Sequence, residues 1–437
     1  MTRPPDASVI ESPARKTLSA SRLRSLQALG IFCGFAAGAW LGGAEAPIKL
    51  VKPDVSPITV SLIMVFGVFL ARWSVPAFLR GVSHVGRDVR QAPHLVVWAI
   101  LAGAMWAVAN TLTIYAIRNV GLSIAFPLWN TNSLLGIFWG FLLFKELHHA
   151  GWKQWLGVIG GAVGMFGGAT LLAIASSHQA VSLNATAGIL AALGAGILWG
   201  TMYIPYRKAY LTGMNPLSFV TFFTIGELAT MSVLAIAYLG AGPLYRELIS
   251  ARPVLFWLML GGFVWVIGDL FQQFATKYVG ISRGIPLSNT NQLWGLLWGI
   301  FVFHELSGES STVYAQVAGG SLLMALGALA ISLSSATEGE HAFWHQAAER
   351  EGQRYGVEAG YIQAGLEGLA HHEGAGGRTF VDWLLIGGTT GLFAILAALA
   401  KFPQVSIGVS AALALGLAMF VLLLTCGVLL WRRTGFR

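Results

Sequence analysis

Two Asn-Thr-Asn triplets, Asn130-Thr131-Asn132 and Asn289-Thr290-Asn291, stand 159 residues apart in otherwise apolar sequence. Their side chains donate and accept hydrogen bonds without carrying charge, which suits recognition of a neutral polyol or amide. Asparagine and threonine also fasten helices to one another inside a bilayer, so Asn130, Asn132, Asn289 and Asn291 have a purely structural reading as well. Three acids lie in similar apolar surroundings: Asp269, Glu45 and Glu227. An ionisable group at membrane depth is costly and marks a solute or ion pathway by default. Each acid is therefore a candidate proton carrier, with a satisfied structural hydrogen bond as the plain alternative. Asn110 is matched to Asp269 by the same spacing, and Gln272 follows Asp269 closely. Trp40, Trp199 and Trp294 offer flat faces that pack against the C–H face of a sugar, and equally against an organic cation.

The triplets belong to a duplication. Val120–Leu147 and Val279–Leu306 align without a gap, and 15 of their 28 positions are identical. Trp106 to Asn110 matches Trp265 to Asp269, Pro57 matches Pro216, and Gly67 matches Gly226 at the same spacing. Gly42 and Pro47 pair with Gly200 and Pro205 at a spacing one residue shorter. Pro127 and Pro286, just ahead of the triplets, predict broken or kinked helices there. Glu146 and Glu305 match near the surfaces, where anchoring or gating suits them better than solute contact.

Composition names the solvent these elements need. The 437 residues are 55% hydrophobic and only 11% charged, with a mean hydropathy of +0.67. Soluble domains carry roughly 25% charge, so the chain reads as an all-α polytopic membrane protein. Hydropathy predicts ten spans in two groups of five, then two more near 381–400 and 405–431. The expected organisation is a tail over 1–28, one five-helix repeat over 29–175 and a second over 187–334. An acidic loop over 335–380, with a short surface helix and a flexible connection, leads to a terminal hairpin over 381–431. Basic residues cluster on one side of this arrangement, which the positive-inside rule makes cytoplasmic, with both termini there. Five is odd, so the two repeats are expected to insert with opposite topology. The net charge of +8 is spread over short loops and tails and does not suggest nucleic acid. Cys33 and Cys426 lie in apolar segments and read as two buried thiols.

At the motif GIPLSNTNQLWGLLWGIFVFHEL and its counterpart FPLWNTNSLLGIFWGFLLFKEL, the chain resembles the drug/metabolite transporter superfamily. Within it, the glucose/ribose porter and rhamnose transporter branch is the most similar. Pro286, Asn289, Asn291, Gly295, Gly299 and Glu305 carry the likeness, as does the early segment Gly38–Leu50. The resemblance covers about residues 29–334 and implies a ten-helix inverted repeat that moves monosaccharides, in some members with protons. The acidic loop and last two spans depart from that pattern.

The expected activity is secondary import of a small neutral polar solute, a monosaccharide foremost, across the plasma membrane by proton symport. Export of amphipathic metabolites or drugs is the alternative within transport. A receptor or assembly protein that holds its ligand without moving it is the alternative outside it. No nucleotide-binding GxxxxGK[ST] motif occurs, and no nucleophile–base–orienter set or histidine-rich cluster suggests an enzyme, a cofactor or a metal. Membrane lipids are expected partners, and a homo-oligomer is left open.

Overall fold

Two long helices matched by the 159-residue spacing start and stop on residues that suit their ends. Pro57 and Pro216 occupy the first turns of two matched helices, where a missing N–H costs nothing. Ser56 and Asn215 cap them, accepting from the N–H groups of Thr59 and Leu217. Their other ends stop at Gly81 and Gly240, with φ of 76° and 84°, a conformation that favours glycine. The computed structural model describes residues 20–50, 55–120, 125, 128–129, 131–148, 150–175, 184–304, 306–334, 338–367, 378–401 and 405–436.

The main helices are α1 (Ala20–Gly43), α2 (Pro57–Arg80), α3 (His94–Val120), α4 (Asn132–Phe144) and α5 (Gly161–Ala175). They are followed by α6 (Ala185–Leu211), α7 (Pro216–Leu239) and α8 (Leu255–Val279). Next comes α9, in two pieces (Ile281–Ser288 and Asn291–Leu297), and then α10 (Ser311–Leu333). Beyond these lie α11 (Glu338–Tyr355), α12 (Ala359–Glu367), α13 (Phe380–Leu399) and α14 (Val409–Thr434). Among the described residues, ten helices are long and apolar enough to cross a membrane, α13 and α14 included. The protein is an all-α, multi-pass membrane protein.

The ninth helix is interrupted close to Pro286, where a broken or kinked helix is expected. The described part of α4 has 13 residues. In α9 the break falls at Asn289–Thr290, three residues after Pro286, where the hydroxyls of Ser288 and Thr290 bond back to the carbonyls of Ile285 and Leu287. These bonds tighten the turn onto carbonyls that also accept from the N–H groups of Asn289 and Thr290.

Packing follows the sequence spacing. Helix α1 lies on α8 and α9, while α6 lies on α3 and α4; α2 lies on α8 and α7, and α7 on α3. Helix α5 packs on α10. A Cβ on Gly67 would run into the Met259 carbonyl, and one on Gly226 into that of Ile100. Gly103 meets the Phe223 carbonyl and Gly262 that of Met64 in the same way. Every partner in these two pairs is itself shifted by 159 residues. Small residues let the backbones touch, which matters in lipid because close packing rather than water exclusion holds helices together.

Helix α13 packs on α2, and α14 on α1. The thiols of Cys33 and Cys426 lie 3.4 Å apart across the α1–α14 contact, both free and buried. The segment expected as a surface helix is instead two helices folded onto the bundle. Glu340 and Ala348 are fully buried, and Trp344, Val357 and Ile362 nearly so. Their apolar faces need cover, and α6 supplies it. His371 and His372 lie outside the described residues.

Candidate functional site

Arg72, Glu227 and Asp269 sit near the middle of α2, α7 and α8. The Arg72 guanidinium bonds Glu227 at 2.9 Å through Nη1 and Asp269 at 2.8 Å through Nη2. All three are buried. Aromatic faces flank the cation, with the Phe223 ring 4.3 Å and the Trp265 ring 5.2 Å from Cζ. Trp265 meets its repeat mate Trp106 edge to face at 5.5 Å. The cluster holds one cation and two carboxylates, so a full set of charges leaves one negative charge over in a poorly solvated place.

Two polar chains leave this centre. Gln273 donates from Nε2 to Asp269 Oδ1 at 2.9 Å and accepts from the Tyr210 hydroxyl. One residue earlier, Gln272 donates to the Tyr203 hydroxyl at 3.1 Å and to Ser288 Oγ at 2.7 Å, tying α8 to α6 and α9. Beside Ser288, Asn289 donates to Ser133 Oγ at 2.5 Å and lies 3.4 Å from Asn132 Oδ1. The two triplets therefore meet across α4 and α9. Their threonines serve the backbone, since Thr131 and Thr290 each bond the carbonyl three residues back. Asn291 Oδ1 is buried with no hydrogen-bond partner, the kind of unmet acceptor that a hydroxyl-rich solute would satisfy.

A second charged cluster closes the end of the bundle that carries both described chain ends. Glu146, just past α4, lies 3.0 Å from Arg207 Nε and accepts from the N–H groups of Ile281 and Ser282 at 3.2 and 2.9 Å. It thus caps α9, where a carboxylate complements the helix dipole. Arg207 also donates to the carbonyls of Thr276 and Lys277 and lies 4.1 Å from the Trp344 ring centroid. Glu340, from α11, is bidentate on Arg283 at 3.2 Å for each bond and accepts from Leu147 N–H at 2.6 Å. Arg283 in turn donates to the Ser334 carbonyl at 2.5 Å. Five helix ends, those of α4, α6, α8, α9 and α10, are joined here by a segment from outside the duplication.

The structure thus brings Asp269 and Glu227 together, and Asn132 with Asn289. Asn110 is held apart from them, donating to Ser61 Oγ on α2. Trp199 stacks edge to face on Trp129 at 6.1 Å, and its Nε1 is buried with no hydrogen-bond partner. Trp294 lies against Gly42 of α1. Trp40 turns outward, donating to the Met419 carbonyl on α14 at 3.0 Å; it is a packing residue at that contact, because α14 covers the flank from which it was expected to reach inward. Asn130, Pro127 and Glu305 lie outside the described residues. Glu45 opens the short helix Glu45–Lys49, and its side chain also lies outside them. Sequence reasoning missed Arg72, although a cation two-thirds of the way along an apolar span is itself a signal. It also missed Arg207 as a core residue, because a basic residue near the end of a span reads as an orienting charge. Among the described residues, no group of three or more His, Cys, Asp or Glu could hold a metal ion.

A family model described as "Sugar transport protein" matches residues 189–351. A Streptococcus pyogenes serotype M1 protein named for sugar uptake is 43% identical over 65 residues, covering 14% of this chain and 23% of that protein. The chain thus spans under a quarter of the length of that relative. A Listeria innocua protein, also named for sugar uptake, is 21% identical over 54% of this chain and 78% of its own length. A protein of known crystal structure aligns with a TM-score of 0.50 at 16% identity, over 70% of this chain and 97% of that one. At that identity the likeness speaks for the fold alone. The chain is a polytopic membrane protein related to sugar-transport family proteins.

Proposed function

We propose that the protein is a secondary active importer of a small neutral polar solute, a monosaccharide, that works by proton symport. The observation that carries this reading is the charge imbalance at Arg72, Glu227 and Asp269. A buried cluster one negative charge in surplus is neutralised by a single proton, and losing that proton changes how tightly the three helices hold together. The Gln273–Tyr210 chain supports a route for it toward the end of the bundle at which Arg207 lies. In this reading Asn132, Asn289 and Asn291, with Asn130 by its place in the triplet, orient the solute hydroxyls. Gln272 borders them, Trp199 and Trp294 supply apolar faces, and Asn110 keeps its sequence-based standing as a solute contact. Glu45 keeps its sequence-based standing as a third proton carrier.

Alternation of access follows if residues 29–175 and 187–334 form inverted repeats. The matched packing of α1 on α8 and α9 and of α6 on α3 and α4 supports this, as do the matched glycine contacts. The basic end carrying Arg207 and Arg283 is then cytoplasmic, in the plasma membrane, with α13 and α14 as two added spans. Relatedness to sugar-transport proteins supports the solute class.

The test is uptake of a radiolabelled monosaccharide panel into proteoliposomes with and without an inward proton gradient. Saturable uptake stimulated by the gradient is the expected result. Saturable uptake indifferent to it removes the coupling, and absence of flux for every sugar from correctly inserted protein removes the solute class.

A further inference from the structure

A cavity of about 280 Å³ lies at the seam between the bundle and α12, close to the lower end of small-molecule sites, roughly 300–1,000 Å³. The bundle wall carries Arg80, His84, Arg87, Asp88, Asn215 and Lys277. The other wall is the start of α12, with Glu358, Gly360 and Tyr361. The seam is tight because Gly213, with φ of 86°, faces Gly365, and a Cβ on Gly365 would meet the Gly213 backbone.

The chemistry of this lining is mixed in a particular way. Three cations face the cavity, with Lys277 buried at 6% exposure, Arg80 half-buried and Arg87 exposed. The first N–H groups of α12 have no partner within the helix and point out of its start. Of the two acids, Asp88 is already engaged, accepting from the Tyr361 hydroxyl at 2.8 Å and from Asn215 N–H at 3.3 Å, whereas Glu358 stands exposed on the rim. His84 is only 8% exposed, and its Nδ1 is bonded to the Gly81 carbonyl. Burial and the nearby Arg80 hold its pKa at about 4, so the ring is neutral. With the proton on Nδ1, Nε2 is a lone-pair acceptor, and it is buried with no hydrogen-bond partner among the described residues.

We propose that this cavity binds a phosphate that carries neighbouring hydroxyls. Arg80, Arg87, Lys277 and the start of α12 take the phosphate oxygens, and His84 Nε2 takes a hydroxyl proton. A simple anion would draw on the positive lining without using His84, and a neutral sugar would use His84 without drawing on that charge. Two sources share the required chemistry, a soluble sugar phosphate and the headgroup of a glycerol-phosphate lipid. Because the walls belong to the bundle and to α12, an occupant also fastens the folded-back segment to the bundle.

The test is equilibrium binding to the full-length protein in lipid nanodiscs, using hexose 6-phosphate, inorganic phosphate and unphosphorylated hexose. Nanodiscs of phosphatidylcholine alone are compared with nanodiscs containing phosphatidylglycerol. Hexose 6-phosphate is expected to bind saturably, and Arg80→Gln with Arg87→Gln to weaken it about tenfold or more. His84→Phe should abolish its advantage over inorganic phosphate. If the lipid is the source, phosphatidylglycerol competes with hexose 6-phosphate or replaces it, and the same substitutions remove the effect. Arg87→Gln alone, at an exposed position, checks that any loss is not misfolding. Absence of saturable binding from both sources, or affinity unchanged in the folded Arg variants, overturns the proposal. Neither readout involves transport, so it stands or falls separately from the proposed activity.

Discussion

Two buried charge clusters are built from the same materials and balance differently. The central one sets a single arginine against two carboxylates, all from long helices. The one at the end sets Arg207 and Arg283 against Glu146 and Glu340. Each lays an arginine on an aromatic ring. Balance makes the end cluster a joint, with nothing left over to exchange. In the proposed mechanism, surplus makes the central cluster the place where the coupling proton binds. A further difference is ancestry, because Glu340 and Trp344 come from α11, beyond the duplicated helices, and the joint therefore depends on a part the repeats do not supply.

The largest expected effect comes from removing Arg72, the only cation at the centre among the described residues. Arg72→Met leaves two carboxylates buried together and should cost about 3–5 kcal/mol of stability and all gradient-driven uptake. Thermal unfolding and proteoliposome flux would read this, and a stable, active variant would break the comparison. Asp269→Asn removes the surplus instead. It should fold, retain solute exchange between equal pools, and lose gradient-driven accumulation by about tenfold or more. If accumulation survives there and vanishes in Glu227→Gln, the coupling carboxylate is the other one.

Smaller effects should follow at the joint. Glu340→Gln leaves Arg283 and Leu147 N–H poorly served, and about 1–3 kcal/mol is expected, felt locally. Hydrogen exchange should quicken in α11 and at the start of α9 but not around Arg72. The mildest effect is one of pH. Burial and the nearby Arg207 hold His341 down to about 4, and Gln27 Nε2 lies 2.8 Å from its Nε2. An exposed histidine titrates near 6.5. The undocked form thus takes up the proton first, so docking of α11 is complete above about pH 6.5 and weakens as pH falls toward 4. His341→Gln should flatten that dependence in exchange measured across the range; an unchanged slope would assign it elsewhere.

Much of this was legible from periodicity and spacing. The 159-residue shift anticipated that Trp106 and Trp265 would be neighbours in kind, and hydropathy located the long helices, because both depend on patterns that many residues share. The shared triplets pointed to Asn132 and Asn289 before any contact between them was known. Arg72 stayed hidden because a single cation barely lowers the hydropathy of a 24-residue span, and its partners come from helices 155 and 197 residues away. Composition misjudged α11 for a related reason. Seven glutamates across 335–380 read as solvated, while what buries Glu340 is one arginine 57 residues earlier. Pairwise chemistry at long range leaves no periodic trace.

The contact of α14 with α1 sets a schedule for making the protein. Cys426 meets Cys33, Arg433 bonds the Ser25 carbonyl, and the Phe436 carbonyl receives Asn215. A ribosome adding about 5–20 residues per second reaches α14 roughly 20–80 s after α1 is complete. For that interval the flank of α1 that ends up against Cys426 must be kept company by lipid or by an insertion factor, and a chain cut short before residue 409 would never relieve it.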